Sequence, residues 1–166
     1  MRRTTTLLFL MLATAPFLEG CRCPVVQSGH RAIVFETLGS GTSKKLLSEG
    51  MHIMPIWNSI ISYDLRVREF KETLHILSNN GLTLKVDASV RFRPEADHLF
   101  DLQTTIGPNY SDILVAPVVR SEARKVFGRY SPEEIYSTKR EEIERNIYDE
   151  VKKALAGRPV VVEAIL

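Results

Sequence analysis

The sequence predicts an α+β domain, an antiparallel β-sheet meander followed by helices. Three observations carry that prediction. Residues 82–93 alternate apolar and polar without a break, and residues 61–68 do the same, which marks strands with one buried face. Ile143, Ile147, Val151 and Leu155 repeat at helical spacing behind a Thr-x-x-Glu start. The 166 residues, 44% apolar and 25% charged, suit one folded domain and exclude collagen-like, disordered and disulfide-scaffold classes.

The chain opens Met1-Arg2-Arg3, continues through an apolar run from Leu7 to Leu18, and reaches Glu19-Gly20-Cys21. A basic start, a short apolar run and a small residue before a cut point describe a secretory signal. The run contains Pro16 and is shorter than the roughly 20 residues a spanning helix needs. Leu18-Glu19-Gly20-Cys21 also resembles the bacterial lipobox, in which the chain is cut before the Cys and the thiol carries a diacylglycerol. Glu19 departs from that pattern. Three readings stay open: a lipoprotein signal with Cys21 as the lipidation site, an uncleaved anchor, or an ordinary cleaved signal. Residues 1–20 are thus a signal peptide or membrane anchor, 21–24 the lipidation site and a short linker, and 25–166 the domain. Cys23 reads as a free thiol, since a Cys-x-Cys metal site lacks further ligands nearby.

Val25 to Glu36 is β-branched-rich and reads as an opening strand. Gly39 to Lys45 fails the spacing of a phosphate loop and reads as a hairpin loop. Strands follow over Ile61–Val67 and Glu69–Ser78. Asn79-Asn80-Gly81 predicts a hairpin with a type I′ turn. The alternating strand from Leu82 ends at Pro94.

Glu95 to Leu102 predicts a short helix with Ala96, Leu99, Phe100 and Leu102 inward, broken at Ile106-Gly107-Pro108-Asn109. Tyr110 to Phe127 predicts a helix with Ile113, Leu114, Pro117, Val118, Ala123, Val126 and Phe127 inward, kinked or split at Pro117 and ended by Gly128. Ser131-Pro132-Glu133-Glu134 is a helix start with a capping box. Thr138-Lys139-Arg140-Glu141 starts another helix, with Glu141–Arg145 and Asp149–Lys153 as supporting pairs. Gly157 and Pro159 stop it, and Val160 to Leu166 reads as a strand. The chain ends inside that strand, so the sequence is expected to be cut or to continue in the natural protein.

The net charge of +2 argues against a nucleic-acid partner, which calls for a clustered basic surface. His30, His52, His75 and His98 lack the close spacing of metal ligands. No catalytic constellation, metal site or cofactor motif is read, and Glu133, Glu134, Glu141 and Glu142 suit helix starts better than acid catalysis. Arg66, Arg68, Lys71, Lys85, Arg91 and Arg93 lie on neighbouring strands as a candidate membrane-facing basic cluster, each worth about 1 kcal/mol beside anionic headgroups. Asp64, Glu69 and Asp87 interleave, so a solvated polar face is the alternative.

Four segments together resemble the prohibitins, within the stomatin/prohibitin/flotillin (band 7, SPFH) family. They are Val25 to Phe35, Glu49-Gly50-Met51-His52-Ile53-Met54-Pro55-Ile56-Trp57, Leu82 to Pro94, and Ile106 to Tyr136. The resemblance implies a non-enzymatic scaffold at a membrane that organises lipid microdomains or restrains a membrane AAA protease. It also implies assembly into homo-oligomers when a coiled coil follows, and the helix near 139–156 is too short to be one. With a lipobox or an anchor, the domain is expected to face the bacterial periplasm or cell exterior. The alternative is a monomeric accessory lipoprotein that binds a single envelope partner.

Overall fold

Two three-stranded sheets organise the protein, described here from a computed structural model that covers residues 21–136 and 139–166. The expected signal or anchor at 1–20, and Thr138 of the second helix start, lie outside the described residues. The α+β class is as the sequence predicts. The chain divides into two units, one up to Ser62 and one from Tyr63.

The first unit is built from short strands. β1 (Cys21–Arg22) and β2 (Val25–Val26) pair with β6 (Met54–Pro55) and β5 (Gly50–Met51), respectively. β3 (His30–Glu36) pairs antiparallel with β4 (Gly41–Leu47), and β7 (Asn58–Asp64) lies on the other side of β3. The predicted opening strand is therefore two strands. Gly29 sits at φ +77°, and the His30 N–H donates to the Gln27 carbonyl across the turn between them. The expected loop at 39–45 is shorter, because Thr42 already pairs with Phe35. Its polar residues belong to an edge strand that faces water, which is why composition alone resembles a loop. The core holds Val26, Ala32, Val34, Leu47 and Met54, with Ile60 packed against it.

The alternation at 61–68 does not persist as one strand. The Asp64 carboxylate accepts the Arg66 N–H at 3.1 Å, an Asx-type turn that bends the chain out of β7. Beyond it, β8 (Arg68–Leu77) and β9 (Thr83–Pro94) form a long antiparallel hairpin. Its turn is not type I′. Only Gly81 takes a positive φ, +77°, and its N–H donates to the Ser78 carbonyl. A three-residue loop that ends in a left-handed glycine replaces the two-residue turn. β10 (Val160–Ile165) returns after the helices to pair antiparallel with β9, giving the order β10-β9-β8. Among the described residues the strands thus form two three-stranded sheets and two two-stranded pairs, in keeping with the antiparallel strand half that the sequence predicts.

The inner faces of β8, β9 and β10 are covered by helices. A 3-10 turn at Ala96–His98 leads into α1 (Leu99–Thr105), which buries Leu99 and Leu102. A π-helical turn at Ser111–Val115 precedes α2 (Ala116–Phe127). Pro117 has no N–H to give, and just before it the Ala116 N–H donates five residues back to Ser111. The extra residue in that turn shifts the phase of the buried stripe. Val115, Ala116 and Val119 are buried, while Ile113, predicted inward, is exposed. α3 (Pro132–Tyr136) carries the capping box: the Ser131 N–H donates to Glu134 Oε2 at 2.9 Å and the Glu134 N–H to Ser131 Oγ at 3.3 Å. α4 (Arg140–Ala154) buries Ile143, Ile147 and Val151 as its spacing predicts, and Leu155 beyond it. Arg140 and Glu144 form an i,i+4 ion pair on it at 2.8 Å. α2 packs on β8 and α4, and α4 on β10. The Arg120 guanidinium of α2 bonds Glu72 on the inner face of β8, tying helix to sheet.

Candidate functional site

The strand register decides which of the predicted basic residues share a surface. Glu69 lies opposite Arg91, Lys71 opposite Ser89, Thr73 opposite Asp87 and His75 opposite Lys85. Lys71, Lys85, Arg91 and Arg93 therefore stand on one outward face. Arg68 lies opposite Phe92 and belongs to the other face, against Tyr110. Arg66 sits in the bend before β8. So four of the six come together and two do not.

Acids thread that face. Lys71 Nζ is 3.6 Å from Glu69, Arg93 donates to Glu163 at 2.8 Å, and Thr73 donates to Asp87 at 2.6 Å. The Ser89 hydroxyl bonds Glu69 and, with nearby Lys71 and Arg91, holds its carboxyl below the usual range. The inner side of the hairpin is aromatic: Phe92 meets Tyr110 edge-on at 6.0 Å and Tyr63 lies 6.3 Å from Tyr110. The Tyr63 hydroxyl donates to Gln103, and burial pushes its pKa up to about 12.

A second site carries no periodic signature in the sequence. In the first unit, Val25, Met51, Ile53, Ile56 and Trp57 are all apolar and each between 48% and 73% exposed. They are neighbours through the backbone. Val25 pairs with Met51, Cys21 with Pro55, and the His52 N–H donates to the Pro24 carbonyl at 3.0 Å. Cys21 and Cys23 are exposed free thiols beside them. Solvent-exposed clusters of this kind mark an interaction surface. The signal was present in the sequence as the apolar-rich stretch Met51 to Trp57, which neither alternates nor shows helical spacing.

The histidines have ordinary roles. His30 and His52 bond the carbonyls of Ser28 and Ser48, and His98 lies 3.1 Å from Glu95. Among the described residues no group of His, Cys, Asp and Glu could hold a metal ion. No described helix is long and apolar enough to cross a membrane. A cavity of about 240 Å³ opens in the second unit between β9, β10 and the helices, lined by apolar side chains that include Ala88, Phe127, Ile135, Ile143 and Ile147.

The comparisons with known proteins agree with this architecture. The SPFH domain / Band 7 family matches residues 24–166. Prohibitin-7, mitochondrial, of Arabidopsis thaliana is 31% identical over 123 residues, 74% of this chain and 44% of the relative. Prohibitin-2, mitochondrial, of the same plant is 31% identical over 134 residues, 80% of this chain and 45% of the relative. Prohibitin-2 of Mus musculus is 27% identical over 133 residues, covering 78% and 44%. The chain spans a little under half the length of these relatives. With the match running through both sheets and all the helices, the chain belongs to the SPFH domain / Band 7 family.

Proposed function

We propose that this protein is a non-enzymatic scaffold that sits on a membrane and organises lipid microdomains or membrane-protein turnover by assembling with copies of itself. One observation carries the reading: the exposed apolar group Val25, Met51, Ile53, Ile56 and Trp57, next to Cys21. Apolar side chains that water contacts gain about 25 cal/mol per Å² on leaving it. Trp is favoured at the headgroup level, where its ring meets apolar chains and its N–H stays wet. The segment 1–20 as signal or anchor, and Cys21 as lipid attachment, would bring this surface to the bilayer. A second membrane signal makes anchoring durable where one acyl chain is marginal. The family named above supports a scaffold at a membrane.

This proposal moves the lipid contact from the basic strand face to the apolar end. The outward face of β8 and β9 is laced with acids and suits water. The domain outside the cytoplasm, and a membrane AAA protease as client, belong to the same proposal. Flotation with phosphatidylcholine vesicles tests it. Wild type should float, and Ile53→Ser with Ile56→Ser should lower bound protein about tenfold, the loss of roughly two partly buried apolar side chains. Equal flotation of the variant would reject the apolar end as the contact.

A further inference from the structure

Both free thiols of the chain lie on the exposed apolar face of the first unit. Cys21 pairs with Pro55, Arg22 with Met54, Val25 with Met51 and Val26 with Gly50. Between these pairs the His52 N–H donates to the Pro24 carbonyl. Residues 21–26 and 50–55 therefore keep one antiparallel register, which sets Cys23 opposite Ile53. Side chains alternate between the two faces of such a ribbon. Val26 and Met54 belong to the core. Cys21, Cys23, Val25, Met51 and Ile53 are on the other face and exposed, Met51 by 67%.

Three of those five side chains carry sulfur. Cys21 and Cys23 stand two positions apart on one face, about 7 Å along the strand. His52 and Pro24 share the ladder bond, so Val25–Met51 and Cys23–Ile53 are the closer, non-hydrogen-bonded pairs. Met51 is then the diagonal neighbour of Cys23, roughly 7–8 Å away and within reach of a long side chain. Its three rotatable bonds let the thioether lean toward the thiols. Along the chain the Cys-x-Cys pair has no third ligand, and the register brings one from across the ribbon. His52 is on the core-side face, where its ring bonds the Ser48 carbonyl at 2.7 Å.

We propose that Cys21, Cys23 and Met51 form a binding site for Cu(I). Thiolate and thioether sulfurs select this soft ion, and the five exposed side chains include no oxygen or nitrogen donor for a hard one. Structural Zn²⁺ takes four ligands, and this face supplies three. Each thiol releases its proton to solvent as it binds, and copper stays Cu(I) throughout. A diacylglycerol on Cys21 would leave its sulfur a thioether, still a soft donor, so the three-sulfur set is compatible with lipidation. The bound ion would clip residues 21–23 to β5.

Anaerobic titration of the full chain with Cu(I), against bicinchoninate as competing chelator and without lipid, tests this. Wild type should hold one Cu(I) per chain, with three sulfur neighbours and no nitrogen in X-ray absorption. Cys23→Ser should weaken binding about a hundredfold and Met51→Leu about tenfold, the range that partners of a metal site cost. Met51→Leu keeps the apolar bulk and removes only the sulfur. Melting curves confirm that each variant folds, and Cys23→Ala takes the place of Cys23→Ser if that variant melts early. A wild type that loses all its Cu(I) to bicinchoninate, a folded variant at either position that binds like wild type, or a nitrogen neighbour on the copper overturns the proposal. Vesicle flotation reads the membrane surface separately, so failure of the metal site and failure of the scaffold reading are distinct results.

Discussion

The two units differ in how much apolar side chain they enclose and in how closely their exposed apolar residues cluster. From Tyr63 onward, long strands and helices place Leu74, Ile76, Val90, Val119, Ile143 and Val151 almost fully inside. Up to Ser62, strands of two to seven residues enclose a small core and leave Val25, Met51, Ile53, Ile56 and Trp57 in contact with solvent. The second unit holds most of the fully buried large side chains, and the first unit leaves an apolar cluster in contact with solvent. Small cores leave more surface unburied for geometric reasons alone. The clustering of five exposed apolar residues on paired segments goes beyond that effect.

Substitutions can break or sharpen this contrast. The largest effect is expected from Leu74→Ala on the inner face of β8, at about 2–5 kcal/mol of stability by denaturant unfolding. A loss below about 1 kcal/mol would contradict the close packing of Leu74 on the inner face of β8. Ser131→Ala should cost about 1 kcal/mol, since it removes the hydroxyl end of the capping box at α3. Alkaline titration should expose a smaller term. Tyr63 stays neutral in the fold up to about pH 12, whereas unfolded it ionises near 10.0. The stability it lends is whole below pH 10 and is lost as pH rises toward 12, so Tyr63→Phe should make that loss shallower. The smallest stability effect belongs to Ile53→Ser, within about 0.5 kcal/mol, because Ile53 is already exposed. That same change should weaken vesicle binding, and this dissociation of stability from binding is the contrast in its sharpest form.

Legibility followed the length of the repeating pattern. The twelve-residue alternation became β9, and the stripe Ile143, Ile147, Val151 and Leu155 is buried as read. The helix through Pro117 was read in the right place with its first half misphased, because a π turn is invisible to a search at 3.6 residues per turn. The hairpin at Asn79-Asn80-Gly81 was legible and its turn type was not, since Asn-Gly suits either of two loop lengths. At the candidate site, sequence grouped six basic residues that the register divides between two faces and a bend. Parity counted across the Asx turn at Asp64 does not carry into β8, which is how Arg68 ends on the inner face. The apolar end is hard to read because Met51 to Trp57 neither alternates nor shows helical spacing, and only pairing brings Val25 beside Met51.

Trp57 is the single tryptophan of the chain, so its emission reports on the apolar end alone. The most direct measurement is the Trp57 emission maximum of the full chain with and without vesicles, using phosphatidylcholine alone and phosphatidylcholine mixed with phosphatidylglycerol. A membrane surface built from Val25, Met51, Ile53, Ile56 and Trp57 predicts a blue shift with both lipids. Emission that stays at its aqueous position, or shifts only when anionic lipid is present, would contradict it.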